Sequence, residues 1–206
     1  MITFVLNSPG IDLGLLRKLS RDSVLVGVDG GLNTVMAAGM TPHWAVGDFD
    51  SVDSQLFLQL PKETKVLRAP VQKDFTDFEL ALRLVKIHRS RRINVLGLGG
   101  GERFDHQLVN SLALWEMAER GCQVQAWSGR QKFTFTGSSH VLCSSQGKMF
   151  SVFALRQPVI VSLRGAKYSG VGLRVLPGSG LGLGNEIVGN RAVLGIRGGV
   201  VCLCQW

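Results

Sequence analysis

Apolar runs of four to six residues, each closed by Gly, Asp or another polar residue, recur through the first 128 positions. Residues 2–7, 24–29, 44–48, 65–69, 93–98 and 123–127 read as six short buried strands. Between them the period lengthens to that of a helix. Phe78, Ala81, Leu82 and Val85 fall at i, i+3, i+4 and i+7 and predict a helix over 75–89. Leu108, Leu112, Trp115 and then Ala118 or Glu119 track one side of a second helix over 106–120, which Gly121 closes. Strands alternating with helices predict a mostly parallel sheet covered on both faces.

The pattern changes near 128–131. Residues 132–136, 140–144, 149–155, 159–165, 186–190, 192–197 and 200–204 are short runs rich in β-formers, punctuated by Gly, Ser, Pro and Asn. That spacing predicts a small β-sandwich or barrel. The Gly-rich stretch 165–184 reads as loops. The expected organisation is an α/β domain over 1–128, followed by an all-β, sandwich-like domain over 129–206.

Charge sharpens the division. Residues 1–120 carry 14 basic and 14 acidic side chains, whereas 121–206 carry 9 basic ones and a single acid, Glu186. The formal net charge of +8 therefore lies wholly in the β-rich part. A basic β-domain invites a nucleic-acid reading, which would require Lys and Arg interleaved with stacking aromatics on one strand face. The nine basic residues are instead scattered singly, and Phe133, Phe135, Phe150 and Phe153 alternate like core, so no nucleic-acid partner is expected. No apolar run approaches a membrane span, and the first residues lack the basic lead-in of a signal peptide, so a cytoplasmic protein with no membrane partner is expected. Cys122, Cys143, Cys202 and Cys204 form no metal-ligand spacing and read as buried, reduced thiols.

Carboxylates gather where the strands of the first part end. Asp29 follows the second strand in DGG, Asp48 and Asp50 follow the third in GDFDS, Asp74 and Asp77 open the long helix in KDFTDFE, and Asp105 opens the next in GGGERFDH. In open α/β sheets these loops form the ligand crevice. Carboxylates about 4 Å apart repel by roughly 4 kcal/mol at an effective dielectric of 20, so such a cluster is tolerable when it holds a divalent cation; oxygen ligands suit Mg²⁺. Bland alternatives stand beside each motif. Asp74 with Asp77, and Asp105, are also what helix caps and first turns use. DGG and GLGGG (97–101) are also what tight turns use.

The order of these motifs, DGG, GDFDS, KDFTDFELAL, GGGERFDHQLVN and then GLGNE in a β-rich tail, resembles the thiamin pyrophosphokinase family from Asp29 to Glu186. The resemblance implies transfer of a pyrophosphoryl group from ATP to the hydroxyethyl oxygen of thiamine, giving thiamine diphosphate and AMP. It further implies Mg²⁺ and a homodimer with thiamine bound near the interface, so that the tail serves thiamine binding and dimerisation. It implies metal ligation by Asp48, Asp50 and Asp77, and catalytic roles for Asp50, Asp77 and Arg103. ATP would be bound by Asp29, Lys73, Thr76, Arg103, Asp105 and His106, and thiamine by Asn110, Gly184 and Asn185. Two positions depart from the pattern. Gly184 stands where the family carries a Ser, and Glu102 stands where a small residue is usual. A rival reading keeps the acid cluster and assigns it to another Mg²⁺-dependent nucleotide-using transferase.

Overall fold

The computed structural model describes residues 1–70, 74–101, 103–143 and 146–206. Its chain divides into two compact units, Met1–Ala113 with Ala126–Gly129, and Leu114–Gln125 with Arg130–Trp206.

The first unit opens with β1 (Ile2–Val5), α1 (Leu13–Ser20), β2 (Val24–Val28), α2 (Gly31–Ala37) and β3 (Trp44–Gly47). It continues with α3 (Ser54–Leu58), β4 (Lys65–Arg68), α4 (Asp77–Ile87), β5 (Arg92–Leu96) and α5 (Phe104–Glu119), whose last turns belong to the second unit. The strand order is β5-β1-β2-β3-β4, and every pair is parallel. Parallel strands need crossover helices, and these cover both faces. Successive residues of β1 point to opposite faces. Val5 packs with Leu16 of α1, Leu25, Val35 of α2, Ala38 and Leu96. Phe4 meets Phe78 of α4 edge to face, with ring centroids 5.6 Å apart. All four residues of β1 are buried, which is why its run is continuously apolar.

Local signals fix the helix starts. Asp12 and Asp53 cap α1 and α3 by accepting backbone N–H bonds. The cap of α4 is Thr76, whose hydroxyl accepts from Glu79 N–H while the Glu79 carboxylate accepts from Thr76 N–H. Asp74, expected as a possible cap, is exposed and leaves that position to Thr76. Asp105 sits in the first turn of α5 and accepts from Arg103.

The strands β6 (Gln123–Ser128), β7 (Gln131–Thr136), β8 (His140–Cys143), β9 (Met149–Phe153) and β10 (Val159–Arg164) follow. The chain ends with β11 (Gly170–Val175), β12 (Asn185–Glu186), β13 (Arg191–Arg197) and β14 (Val201–Gln205). Within the second unit β12-β9-β14-β7 and β11-β10-β13-β8 form two antiparallel sets. Alternate residues of β10 and β13 are buried, and Phe135 and Phe150 are core. The α/β unit followed by a two-layered β unit is the fold class the sequence predicts.

Two expectations change. Residues 170–175, read as loop, are a strand: the register shifts between Val161 and Leu163, and Gly172 at φ 67° takes the left-handed conformation this irregularity uses. Of the run 186–190 only Glu186 lies in a strand, the two-residue β12, because Gly184 and Gly189 at φ 63° and 84° flank it. Cys202 and Cys204 are buried free thiols, and burial pushes both up, Cys204 to about 11. Cys122 is in no disulfide and is partly exposed. Among the described residues no helix is long and apolar enough to cross a membrane.

Candidate active site

The carboxyl ends of β1, β2, β3 and β5, with the start of α4, open onto one cavity of about 560 Å³. Leu6, Asn7 and Pro9 follow β1, Asp29 follows β2, Asp48 and Ser51 follow β3, Thr76 and Asp77 begin α4, and Gly97, Leu98, Gly99, Gly101 and Arg103 follow β5. The chain runs from β1 outward to β4 and returns on the other side of β1 as β5. That reversal is the switch point at which open α/β sheets bind ligands.

Close backbone packing sets the walls. A Cβ on Gly31 would lie 2.0 Å from the Val5 carbonyl oxygen, so the second glycine of DGG is a packing requirement. Asp29 itself adopts φ 46° and Phe49 adopts φ 67°, left-handed conformations that cost a non-glycine residue about 1–2 kcal/mol. Such conformations persist only where surrounding structure holds them. Asn33 of α2 does part of this, donating to Ser51 O at 3.0 Å and accepting from Asp53 N–H at 3.0 Å.

Asp29, Asp48 and Asp50 place one carboxylate oxygen each within 4.8 Å of one another. At that separation a pair of unit charges repels by about 3 kcal/mol at an effective dielectric of 20. The carboxyl of Asp29 is held above its ordinary range. Burial is the main cause, and the charges of Asp50 and Asp77 add to it, against hydrogen bonds from Gly30 N–H and the Ser51 side chain. Among the described residues three buried side-chain atoms lack a hydrogen-bond partner: Asp29 Oδ1, Asn110 Oδ1 and Thr134 Oγ1. The first two belong to residues lining this cavity, and Thr134 lines neither cavity described here. A buried acceptor without a donor costs about 1–3 kcal/mol unless a ligand supplies one. Oxygen donors, crowded negative charge and an orphaned carboxylate oxygen fit a hard divalent cation.

The starts of α4 and α5 also border the cavity, through Thr76 and Asp77 and through Arg103 and His106, and helix N-termini favour anions. Arg103 is exposed and engages Asp105 in a two-pronged ion pair, Nη2–Oδ2 2.6 Å and Nε–Oδ1 3.0 Å. This pairing holds the Asp105 carboxyl down at about 2.

The expected site residues thus divide. Asp29, Asp48, Thr76, Asp77, Arg103, His106 and Asn110 line the cavity, and Asp50 joins through the carboxylate group. Asp105 reaches it through Arg103. Lys73 and Glu102 lie outside the described residues. Gly184 and Asn185 belong to the second unit, where Asn185 lines a separate cavity of about 270 Å³ with Tyr168, Leu181 and Leu183. The buried Asn185 amide accepts from Tyr168 N–H and Glu186 N–H and donates to Tyr168 O. Gly184 donates its N–H to Ser151 Oγ at 3.0 Å. Sequence reasoning missed Asn7, Ser51 and Gln107, which line the first cavity; Ser51 and Gln107 sit within quoted motifs, and Asn7 closes the first apolar run.

Residues 15–126 match the family model for the thiamin pyrophosphokinase catalytic domain. The chain belongs to the thiamin pyrophosphokinase family. Membership makes it an enzyme with thiamine diphosphokinase activity, and the family draws on ATP and thiamine. The thiamine pyrophosphokinase of Bacillus subtilis (strain 168) is 27% identical over 184 residues, 87% of this chain and 86% of that protein. The crystal structure of thiamin pyrophosphokinase from Geobacillus thermodenitrificans is 26% identical, with TM-score 0.83 over 99% of this chain and 96% of that one. Thiamin pyrophosphokinase from Candida albicans, at 17% identity, shares the fold with TM-score 0.82 over 99% of this chain and 89% of that one.

Proposed function

We propose that the first-unit cavity is where the pyrophosphoryl group of ATP passes to the hydroxyethyl oxygen of thiamine. The hydroxyl attacks the β-phosphorus in line, AMP leaves, and a carboxylate of Asp50 or Asp77 takes the hydroxyl proton. The observation that carries the reading is the gathering at one cavity of three carboxylates, one of them with an orphaned oxygen, and the orphaned Asn110 Oδ1. Asp29, Asp48 and Asp50 would hold Mg²⁺, with Asp77 beside them; the cation neutralises phosphate charge when bound. Asp29, expected at the nucleotide, thereby joins the metal group. Arg103 exchanges its exposed partner Asp105 for a phosphate oxygen, and His106 and the start of α4 border the same anion. Asn110 Oδ1 accepts from the substrate that covers it.

Thiamine recognition extends to Gly184 and Asn185 in this reading. Because three hydrogen bonds commit the Asn185 amide to its own loop, it acts by shaping the walls of the second cavity. A cytoplasmic homodimer, with 1–128 catalytic and 129–206 thiamine-binding, completes the proposal.

The test is a thermal-shift series with ATP, Mg²⁺ and thiamine added singly and together. ATP with Mg²⁺ should raise Tm more than either alone, and thiamine should raise it further. No additional rise with thiamine would remove the substrate assignment and leave another nucleotide-using transferase.

A further inference from the structure

The sharp turn of GDFDS sets the distance between Asp48 and Asp50, and two forces act to open it. Phe49 between them is strained at φ 67°. The carboxylates themselves, grouped with Asp29 within 4.8 Å, repel while no cation is bound. Asn33 holds Ser51 and Asp53, and Asp50 N–H donates to Asp48 Oδ1 within the turn; a contact from outside the cavity adds to them.

Arg68, the last residue of β4, is placed to do this. Its guanidinium carbon lies 5.2 Å from the ring centroid of Phe49 and 5.6 Å from that of Phe57 on α3. The two rings pack against each other with centroids 4.8 Å apart. Arg68 Nη1 also reaches the Asp48 carbonyl oxygen at 3.4 Å. One planar cation therefore contacts the ring of the strained residue, the ring that backs it and the peptide just before it. Both ring distances fall within the range in which a guanidinium is attracted to an aromatic face. Arg68 does not line the cavity.

We propose that Arg68, seated on Phe49 and Phe57, is a positioning residue that holds the Asp48–Asp50 turn in its cation-binding shape. Its positive charge serves the carboxylates less than its plane does, because a Lys ammonium neither stacks on two rings nor keeps the fork geometry. The inference rests on the cation reading given above. It adds that cation affinity is set partly by a residue that touches neither cation nor substrate.

The test measures Mn²⁺ binding to the substrate-free protein by electron paramagnetic resonance. Wild type is compared with Arg68→Leu, Arg68→Lys and Phe57→Leu, with KM for the metal–ATP complex and kcat measured alongside. Arg68→Leu should weaken Mn²⁺ about tenfold or more, the usual cost of removing a partner behind a metal ligand. KM should rise in step, and kcat at saturating metal and nucleotide should change far less. Arg68→Lys should recover little of the loss, and Phe57→Leu should reproduce part of it. Wild-type Mn²⁺ affinity in Arg68→Leu would overturn the proposal, and full rescue by Lys would replace the clamp with a simple charge effect. Should Arg68→Leu not fold, Phe57→Leu decides: unchanged affinity there rejects the clamp. Failure of the wild type itself to bind Mn²⁺ would overturn the cation reading and the clamp together, whereas binding that is indifferent to Arg68 rejects only the clamp.

Discussion

Asn110 and Asn185 are both buried amides, 8% and 3% exposed, and their surroundings differ. Asn110 Oδ1 has no partner and belongs to a residue of the first cavity. Asn185 makes three hydrogen bonds to the backbone of Tyr168 and Glu186 and ties down the loop before β11. The same contrast runs through the two units. In the first, polar groups are crowded, strained or unmatched around a cavity: Asp29 and Phe49 at positive φ, three carboxylates together, an orphaned oxygen on Asp29. In the second, Asn185 and Ser169 close their own turn, with the Ser169 hydroxyl donating to Ala166 O. Unmatched buried polarity that borders a cavity marks where a ligand belongs, and matched polarity marks structure; Thr134 Oγ1 of the second unit is unmatched but borders neither cavity.

The contrast can be broken at several points. The largest effect is expected at the carboxylate group. Asp50→Asn should lower kcat by about 100-fold or more without lowering Tm, since it removes repulsion along with function; steady-state kinetics with a melting curve checks both, and near-normal turnover would remove Asp50 from the chemistry. Next comes Asn185→Ala, which strands the Tyr168 and Glu186 backbone groups and should cost about 2 kcal/mol in denaturant unfolding. Asn110→Ala is its counterpart: stability within about 0.5 kcal/mol of wild type, but KM for thiamine up several-fold. If the two asparagines exchanged these phenotypes, the contrast between units would be wrong. Thr76→Ala should cost about 1 kcal/mol by removing the α4 cap, and Thr76→Ser should restore it.

The smallest effect concerns Asp29. Its carboxyl titrates above the ordinary value of 3.8, so the folded protein holds this proton more tightly than the unfolded chain does. That contribution to stability is complete below the unfolded value and is lost as pH rises through the raised one. In metal-free protein Asp29→Asn should therefore melt higher than wild type at neutral pH, with the gap closing as pH falls through the raised value and closed below the ordinary 3.8. A gap independent of pH would reject the burial of a charged Asp29.

Much of this was legible in the chain. The strands of the first unit announce themselves as apolar runs closed by Gly or Asp, because parallel strands buried on both faces need continuous apolarity. The acids at their ends follow from the topology, since loops at the carboxyl edge converge. Three things were hidden. β11 was masked by Gly170 and Gly172, whose presence reflects a register shift that only pairing reveals. The place of Asp29 with Asp48 and Asp50 depends on a left-handed φ that composition does not announce. The Arg68 contacts with Phe49 and Phe57 join residues up to 19 positions apart and have no periodic signature. By contrast the Thr76–Glu79 capping box was present as Thr-x-x-Glu and separates Thr76 from Asp74 without any structure.

The central claim is that the unmatched cavity of the first unit moves two phosphoryl groups together. Phosphorus-31 NMR of ATP, Mg²⁺ and thiamine turning over on the enzyme tests it most directly. AMP and thiamine diphosphate rising together in equal amounts, with no thiamine monophosphate, is the predicted result. Accumulation of ADP with thiamine monophosphate would contradict attack at the β-phosphorus and the account built on it.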